Sequence, residues 1–198
     1  MLAKGSESWI LSSFILTAFT GFFLPLFFAA VILTVCLCLF FRDPERLAES
    51  QSETDVVSPA DGRVLSLQDN KLSIFMNVHN VHVNRSPVDG TVIDIRYHKG
   101  GKLPAFRKDS ERNERNSISL KTERGDVTVT QISGALVRRI VCYIRQNEAI
   151  KRGQRIGMIR FGSRVDVTLP QDYSFVVKKG QKVRAGQTVI AKVKLSVI

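Results

Sequence analysis

The chain has three histidines, and two of them stand three residues apart in Val78-His79-Asn80-Val81-His82-Val83-Asn84. Imidazole exchanges its proton near neutral pH, so either ring could act as a general base. A serine nucleophile needs such a base, and the base needs an orienting partner. Asp61 and Asp89 are candidates for that partner, although an Asp-Gly pair also makes a turn with no other role. Among the serines, Ser163 stands out in Phe161-Gly162-Ser163-Arg164-Val165-Asp166-Val167, with a glycine before it and a strand-like run after. The Gly-Ser pair carries little weight alone, since the chain has 13 glycines and the pair recurs at Gly5-Ser6. Histidines at i and i+3 point to opposite faces of a regular strand, and no cysteine or carboxylate completes a zinc-like set. No metal site is expected. The three cysteines, Cys36, Cys38 and Cys142, have no metal spacing and read as packing residues in a reducing compartment.

The elements that must position these residues are strands. Short β-branched runs recur at 55–57, 63–67, 72–78, 91–97, 117–122, 127–132, 136–144 and 165–169, punctuated by Gly, Pro, Asn and Asp. No helical period competes after Ser50, and the polar stretch Gly100 to Asn116 reads as a long loop. Two internal echoes appear. Ser58-Pro59-Ala60-Asp61-Gly62 returns as Ser86-Pro87-Val88-Asp89-Gly90, and Lys151-Arg152-Gly153-Gln154 returns as Lys178-Lys179-Gly180-Gln181. The Lys-x-Gly-Gln turns resemble the corners of biotinyl and lipoyl domains. The expected fold is therefore all-β and barrel-sandwich-like.

The N-terminus is different in kind. From Trp9 to Phe41 no residue is charged, and a helix needs about 20 apolar residues to cross a bilayer core. Gly21 and Pro25 interrupt the run, so one tilted span or a hairpin of two short helices, near 9–22 and 25–41, would fit; the hairpin is favoured. The expected organisation is a hydrophobic helical membrane anchor over 1–41, a linker over 42–54 and a catalytic domain over 55–198. The formal charge of +11 lies entirely in the part after residue 41, where Arg42 and Arg46 follow the apolar run at once. A basic domain tethered to a bilayer faces the anionic cytoplasmic leaflet of the cell membrane. Nucleic acid is the competing partner of a basic domain, but no basic motif interleaved with aromatics, zinc finger or helix-turn-helix pattern is present.

The order of the motifs is more specific than any one of them. Phe40-Phe41-Arg42-Asp43-Pro44-Glu45-Arg46, Pro59-Ala60-Asp61-Gly62, His79-Asn80-Val81-His82, Asn113-Glu114-Arg115-Asn116 and Phe161-Gly162-Ser163 follow one another. From about Phe40 onward the chain resembles the phosphatidylserine decarboxylase family, in its short membrane-anchored form. The resemblance implies a proenzyme that cleaves itself between Gly162 and Ser163 into chains 1–162 and 163–198. It implies that Asp61 orients His82, that His82 deprotonates Ser163, and that Ser163 attacks the Gly162 carbonyl. Elimination and hydrolysis would then leave a covalent pyruvoyl group at residue 163, the cofactor that forms a Schiff base with the substrate amine and draws electrons as carbon dioxide leaves. His79 is implied in decarboxylation or reprotonation, and Arg115 is a candidate for the anionic headgroup. The implied partners are a membrane phospholipid and the two cleaved chains, as a heterodimer or a higher oligomer. Phosphatidylserine is the expected substrate, with ether-linked archaetidylserine as the alternative carrying the same headgroup. Arg164 stands where the family often has a small hydroxyl residue.

Two other classes compete. A membrane-anchored biotinyl-like adaptor would explain the turns, but a carrier lysine belongs beside a methionine, and neither Met76 nor Met158 has one. A serine protease using Ser163 would cut other chains, and only the decarboxylase would carry a carbonyl open to hydroxylamine.

Overall fold

The computed structural model describes residues 1–50, 52–68, 70–101, 113–134, 140–160 and 163–194. Two compact units divide the chain, Met1–Glu45 and Arg46–Ile198.

In the first unit, α1 (Glu7–Phe19) and α2 (Leu24–Phe40) are separated by a 3-10 turn at Thr20–Phe22. Phe23 is extended, with φ −124° and ψ 99°, and Pro25 follows in the first turn of α2, where its missing N–H leaves no helical bond unmade. The helices have 13 and 17 residues, or roughly 20 and 26 Å at the α-helical rise, against a bilayer core of about 30 Å. No described helix is long and apolar enough to cross a membrane. The expected membrane segment is not supported by helices of this length: the extended residue at Phe23 breaks the run into two short ones. Their buried residues mix apolar Ile10, Ala30 and Phe40 with small hydroxyl residues, and much of the outer surface is apolar. Ser13, Thr20 and Thr34 are buried and Thr17 meets Thr34 at 3.2 Å, whereas Leu11, Phe14, Phe19, Phe22 and Phe28 are exposed.

The second unit is all strand and turn among the described residues. Its strands are β1 (Val56–Val57), β2 (Gly62–Gln68), β3 (Lys71–Met76), β4 (Val83–Arg85), β5 (Gly90–His98), β6 (Arg115–Thr122), β7 (Gly125–Ile132), β8 (Ile140–Cys142), β9 (Ala149–Ile150), β10 (Arg155–Ile159), β11 (Ser163–Thr168), β12 (Tyr173–Phe175), β13 (Lys182–Val183) and β14 (Val189–Val193). The expected runs recur here with shifted ends. The long loop expected at 100–116 falls mostly outside the described residues, as do 136–139 of the eighth run. The largest sheet has the order β13-β2-β3-β11-β7-β6-β5-β9 and curls into a half-barrel. All its neighbours are antiparallel. Two three-stranded sheets, β1-β14-β12 and β4-β10-β8, complete the unit.

Strand alternation builds the core. Leu72, Ile74 and Met76 of β3, Val165 and Val167 of β11, Val127 and Val129 of β7, and Ile118 and Leu120 of β6 all point inward and are fully buried. Bulges between Val64 and Ser66 and between Val92 and Asp94 help the sheet to bend.

The echoed motifs are a real internal symmetry. The amide of Val57 donates to Pro87 O at 3.0 Å, and that of Arg85 donates to Pro59 O at 2.9 Å. Each serine hydroxyl closes its own turn, Ser58 onto Ala60 O and Ser86 onto Val88 O, both at 2.7 Å. Each turn then docks on a glycine corner, Gly186 N to Ser58 O and Gly153 N to Ser86 O, both at 2.8 Å. The first echo therefore pairs with Arg184-Ala185-Gly186-Gln187, a third corner of the same type.

Gly62 is required by close approach. Its φ is +155°, and a Cβ there would lie 2.1 Å from Phe75 O in the neighbouring strand. Gly62→Ala must push β2 from β3 beside Asp61. A loss of about 3 kcal/mol or more in denaturant unfolding is expected, and an unchanged midpoint would refute this reading.

Candidate active site

Ser163 is the first residue of β11, an interior strand of the large sheet, and lies opposite Met76 of β3. It is fully buried, and its hydroxyl makes no hydrogen bond among the described residues. An unmade bond on a buried hydroxyl costs about 1–3 kcal/mol, so a group left in that state calls for a reason. Gly162 and Phe161 lie outside the described residues.

His82 precedes β4 and is buried; Ile159 N donates to its carbonyl at 3.2 Å. Its Nδ1 is 2.8 Å from Asn80 O. A carbonyl only accepts, so Nδ1 carries the proton in the neutral ring and Nε2 is the basic nitrogen. His79 lies in the turn between Asn77 and Asn80 and is exposed. His79 thus sits on a turn and His82 just before a strand, rather than both on one strand.

Asp61 is nearly buried and has all its bonds assigned. Arg46 grips both carboxylate oxygens, with Nη2 to Oδ2 at 2.9 Å and Nη1 on Oδ1. Ala185 N donates to Oδ1 at 2.8 Å and Val81 N to Oδ2 at 3.4 Å. The resemblance implies that Asp61 orients the His82 ring. Here the Asn80 carbonyl meets Nδ1 of the ring, and Asp61 bonds one residue earlier, to the amide of Val81. The physical reason is saturation: the guanidinium and two amides already occupy its oxygens.

Arg115 is not brought to this cluster. It shares a row with Ile132 and Arg164, whereas Asn116 shares the next row with Gln131 and Val165. Alternation therefore puts Arg115 on the outer face, where it lines a groove with Lys71, Ser117, Thr130 and Asp166, and Ser163 on the inner one. Arg164 is on that outer face too, paired with Asp166 at 2.6 and 2.7 Å, so its departure from the family pattern does not touch the side that carries Ser163.

The motif's other residues, to which the sequence assigned no role, lie differently. Asn113, Glu114 and Asn116 are buried, as are Asn84, Gln131 and Ser133. Three amides form a directed chain: Asn116 Nδ2 donates to Gln131 Oε1 at 3.1 Å, Gln131 Nε2 to Asn84 Oδ1 at 2.8 Å, and Asn84 Nδ2 faces Met76 Sδ at 3.8 Å. A thioether cannot donate, so Met76 sets the polarity of the whole chain and leaves Asn116 Oδ1 as an open acceptor. Since Met76 is the cross-strand neighbour of Ser163, this polar chain begins beside the serine. The signal in the sequence was the alternation itself, which separates Arg115 from Glu114 and Asn116.

The comparisons agree with this architecture. The family described as phosphatidylserine decarboxylase matches residues 66–191. The chain is 50% identical over 203 residues to an archaetidylserine decarboxylase proenzyme of Methanosarcina barkeri, covering 98% of this chain and all of the relative. It is 41% identical over 203 residues to a phosphatidylserine decarboxylase proenzyme of Syntrophus aciditrophicus, covering 94% of this chain and 95% of the relative. With that of Thermobifida fusca the identity is 44% over 199 residues, covering 94% and 90%. Relatives this similar over nearly their full length, around a buried serine on an inner strand, leave one assignment: the chain belongs to the phosphatidylserine decarboxylase family.

Proposed function

We propose that this chain cuts itself before Ser163 and uses the resulting pyruvoyl group to decarboxylate a membrane lipid with a serine headgroup. The observation that carries the proposal is the fully buried Ser163 hydroxyl at the head of an inner strand, without a hydrogen bond among the described residues. A residue destined to lose its side-chain oxygen needs no lasting hydrogen-bond partner, so the position suits the group. His82 Nε2 accepts the Ser163 proton while the oxygen attacks the Gly162 carbonyl, turning the amide into an ester. Elimination opens that ester, and hydrolysis releases ammonia and leaves the carbonyl group on the new N-terminus. That carbonyl supplies an electron sink as carbon dioxide departs. Arg46 and Asp61 hold the His82 loop, and His79, exposed on its turn, serves decarboxylation or reprotonation at the mouth of the site.

The relatives are named for two lipids with one headgroup, and the one named for archaetidylserine matches over 98% of this chain and all of its own length. Archaetidylserine is accordingly the favoured substrate and phosphatidylserine the second. The exposed apolar residues of the helix pair attach the protein to a lipid surface, and the positive charge of the chain favours the cytoplasmic leaflet. The three Gly-Gln corners and the paired Ser-Pro turns support a barrel-sandwich relation to biotinyl domains.

The test is carbon dioxide release from vesicles containing either serine lipid, before and after hydroxylamine. Release that hydroxylamine stops supports the proposal. A cleaved protein inert on both lipids would overturn the decarboxylase reading, and activity that hydroxylamine leaves intact would overturn the pyruvoyl one.

A further inference from the structure

Beside Ser163 the inner face carries three acceptors that the self-cleavage step does not use. The hydrogen bond from Ser133 N to Glu114 O, 2.9 Å, extends the pairing of β6 and β7 by one residue. The register of β11 with β7, taken one residue further, sets Ser133 beside Ser163. One row of the sheet therefore reads Met76, Ser163, Ser133, Glu114. Asn116 follows Glu114 by two residues and shares its face.

These positions are buried and incompletely bonded. Ser133 Oγ and Asn116 Oδ1 make no hydrogen bond among the described residues, and both residues are 1% exposed or less. Glu114 is 4% exposed, and its carboxylate accepts from the Tyr97 hydroxyl. Asn113 Nδ2 pins the Ser133 carbonyl at 2.9 Å, so the serine is fixed in place. An open amide oxygen cannot bind an anion, and a buried carboxylate repels one. What the set fits is a cation with several N–H donors.

We infer that Glu114, Ser133 and Asn116 form the subsite for the ammonium of the serine headgroup, and that Glu114 takes its proton. This rests on the pyruvoyl reading of Ser163. Three N–H donors of the ammonium meet a carboxylate, a hydroxyl and an amide oxygen. One N–H bond then breaks, the proton forms an O–H bond on Glu114, and the electron pair stays on nitrogen. The neutral amine can attack the carbonyl carried at residue 163, which an ammonium cannot. Arg115, on the outer face, takes no part.

The test separates binding from turnover. The cleaved enzyme is reduced with borohydride, so that its carbonyl no longer reacts, and is titrated calorimetrically with glycerophosphoserine or its N-acetyl derivative. Glu114→Gln is expected to cleave itself and to form the hydroxylamine adduct before reduction. Its affinity for the free amine should fall about 10- to 100-fold, with no change for the N-acetyl ligand. Ser133→Ala should show a smaller loss with the same selectivity, and it serves if Glu114→Gln does not fold. Equal affinity of a folded variant and the wild type for the free amine would overturn the subsite. An uncut wild type with no hydroxylamine adduct would instead overturn the pyruvoyl reading beneath it.

Discussion

Ser163→Ala is expected to remain one uncut chain and to release no carbon dioxide from serine lipids, whereas the wild type splits between 162 and 163. The change removes one oxygen that makes no hydrogen bond among the described residues, so it strands no partner among them. Stability should hold or rise slightly, by about 1 kcal/mol. This separates chemistry from folding: an intact, well-folded, uncut variant is the predicted outcome, and intact-mass spectra beside thermal melts read both at once. A variant that still splits at 162/163 would remove Ser163 from the chemistry. The wild-type fragments should also stay together. The small fragment supplies β11, which lies between β3 and β7, and β14, which lies between β1 and β12. Gel filtration should therefore recover one particle, and two bands should appear only after denaturation.

Asp61→Asn should cost about 3–5 kcal/mol and slow self-cleavage at least about 100-fold, because it strands the Arg46 guanidinium in a buried site. The Arg46 and Asp61 side chains are only 8% and 11% exposed, so solvent screens the pair little. A neutral amide keeps the shape but loses the charge, and its NH2 group must face the guanidinium together with either the Ala185 or the Val81 amide, all of them donors. The paired change, Arg46→Met with Asp61→Asn, should recover part of the stability, since no uncompensated charge remains. Cleavage should not recover with it, because the Val81 amide still lacks its anionic acceptor beside His82. Chemical denaturation and cleavage time courses on the three variants decide this. Full recovery of cleavage in the double variant would show that the clamp serves folding alone.

The candidate residues stood out in the sequence because residue type and order mark them. Ser163 after a glycine, the His79 and His82 pair, and the two Ser-Pro-x-Asp-Gly turns are local patterns, and local patterns survive without a fold. The strands were legible for the same reason: β-branched runs cut by glycine and proline state their own period. Short strands such as β4, β9 and β13 were not, since two or three residues have no period to read. The break at Phe23 was half visible in Gly21 and Pro25, but whether it bent a single span or ended one helix depended on backbone dihedrals.

Tertiary structure alone decided which neighbours face one another. Arg115 looks like the natural anion ligand in a list of residues, yet the pleat turns it outward and brings Glu114 and Asn116 in. The ionic partner of Asp61 comes from Arg46, fifteen positions earlier, and its amide partners from Val81 and Ala185. No local spacing encodes a contact between residues 61 and 185. Hydrogen-bond saturation, burial and strand register are properties of the assembled sheet, and they are what convert a list of reactive side chains into a site.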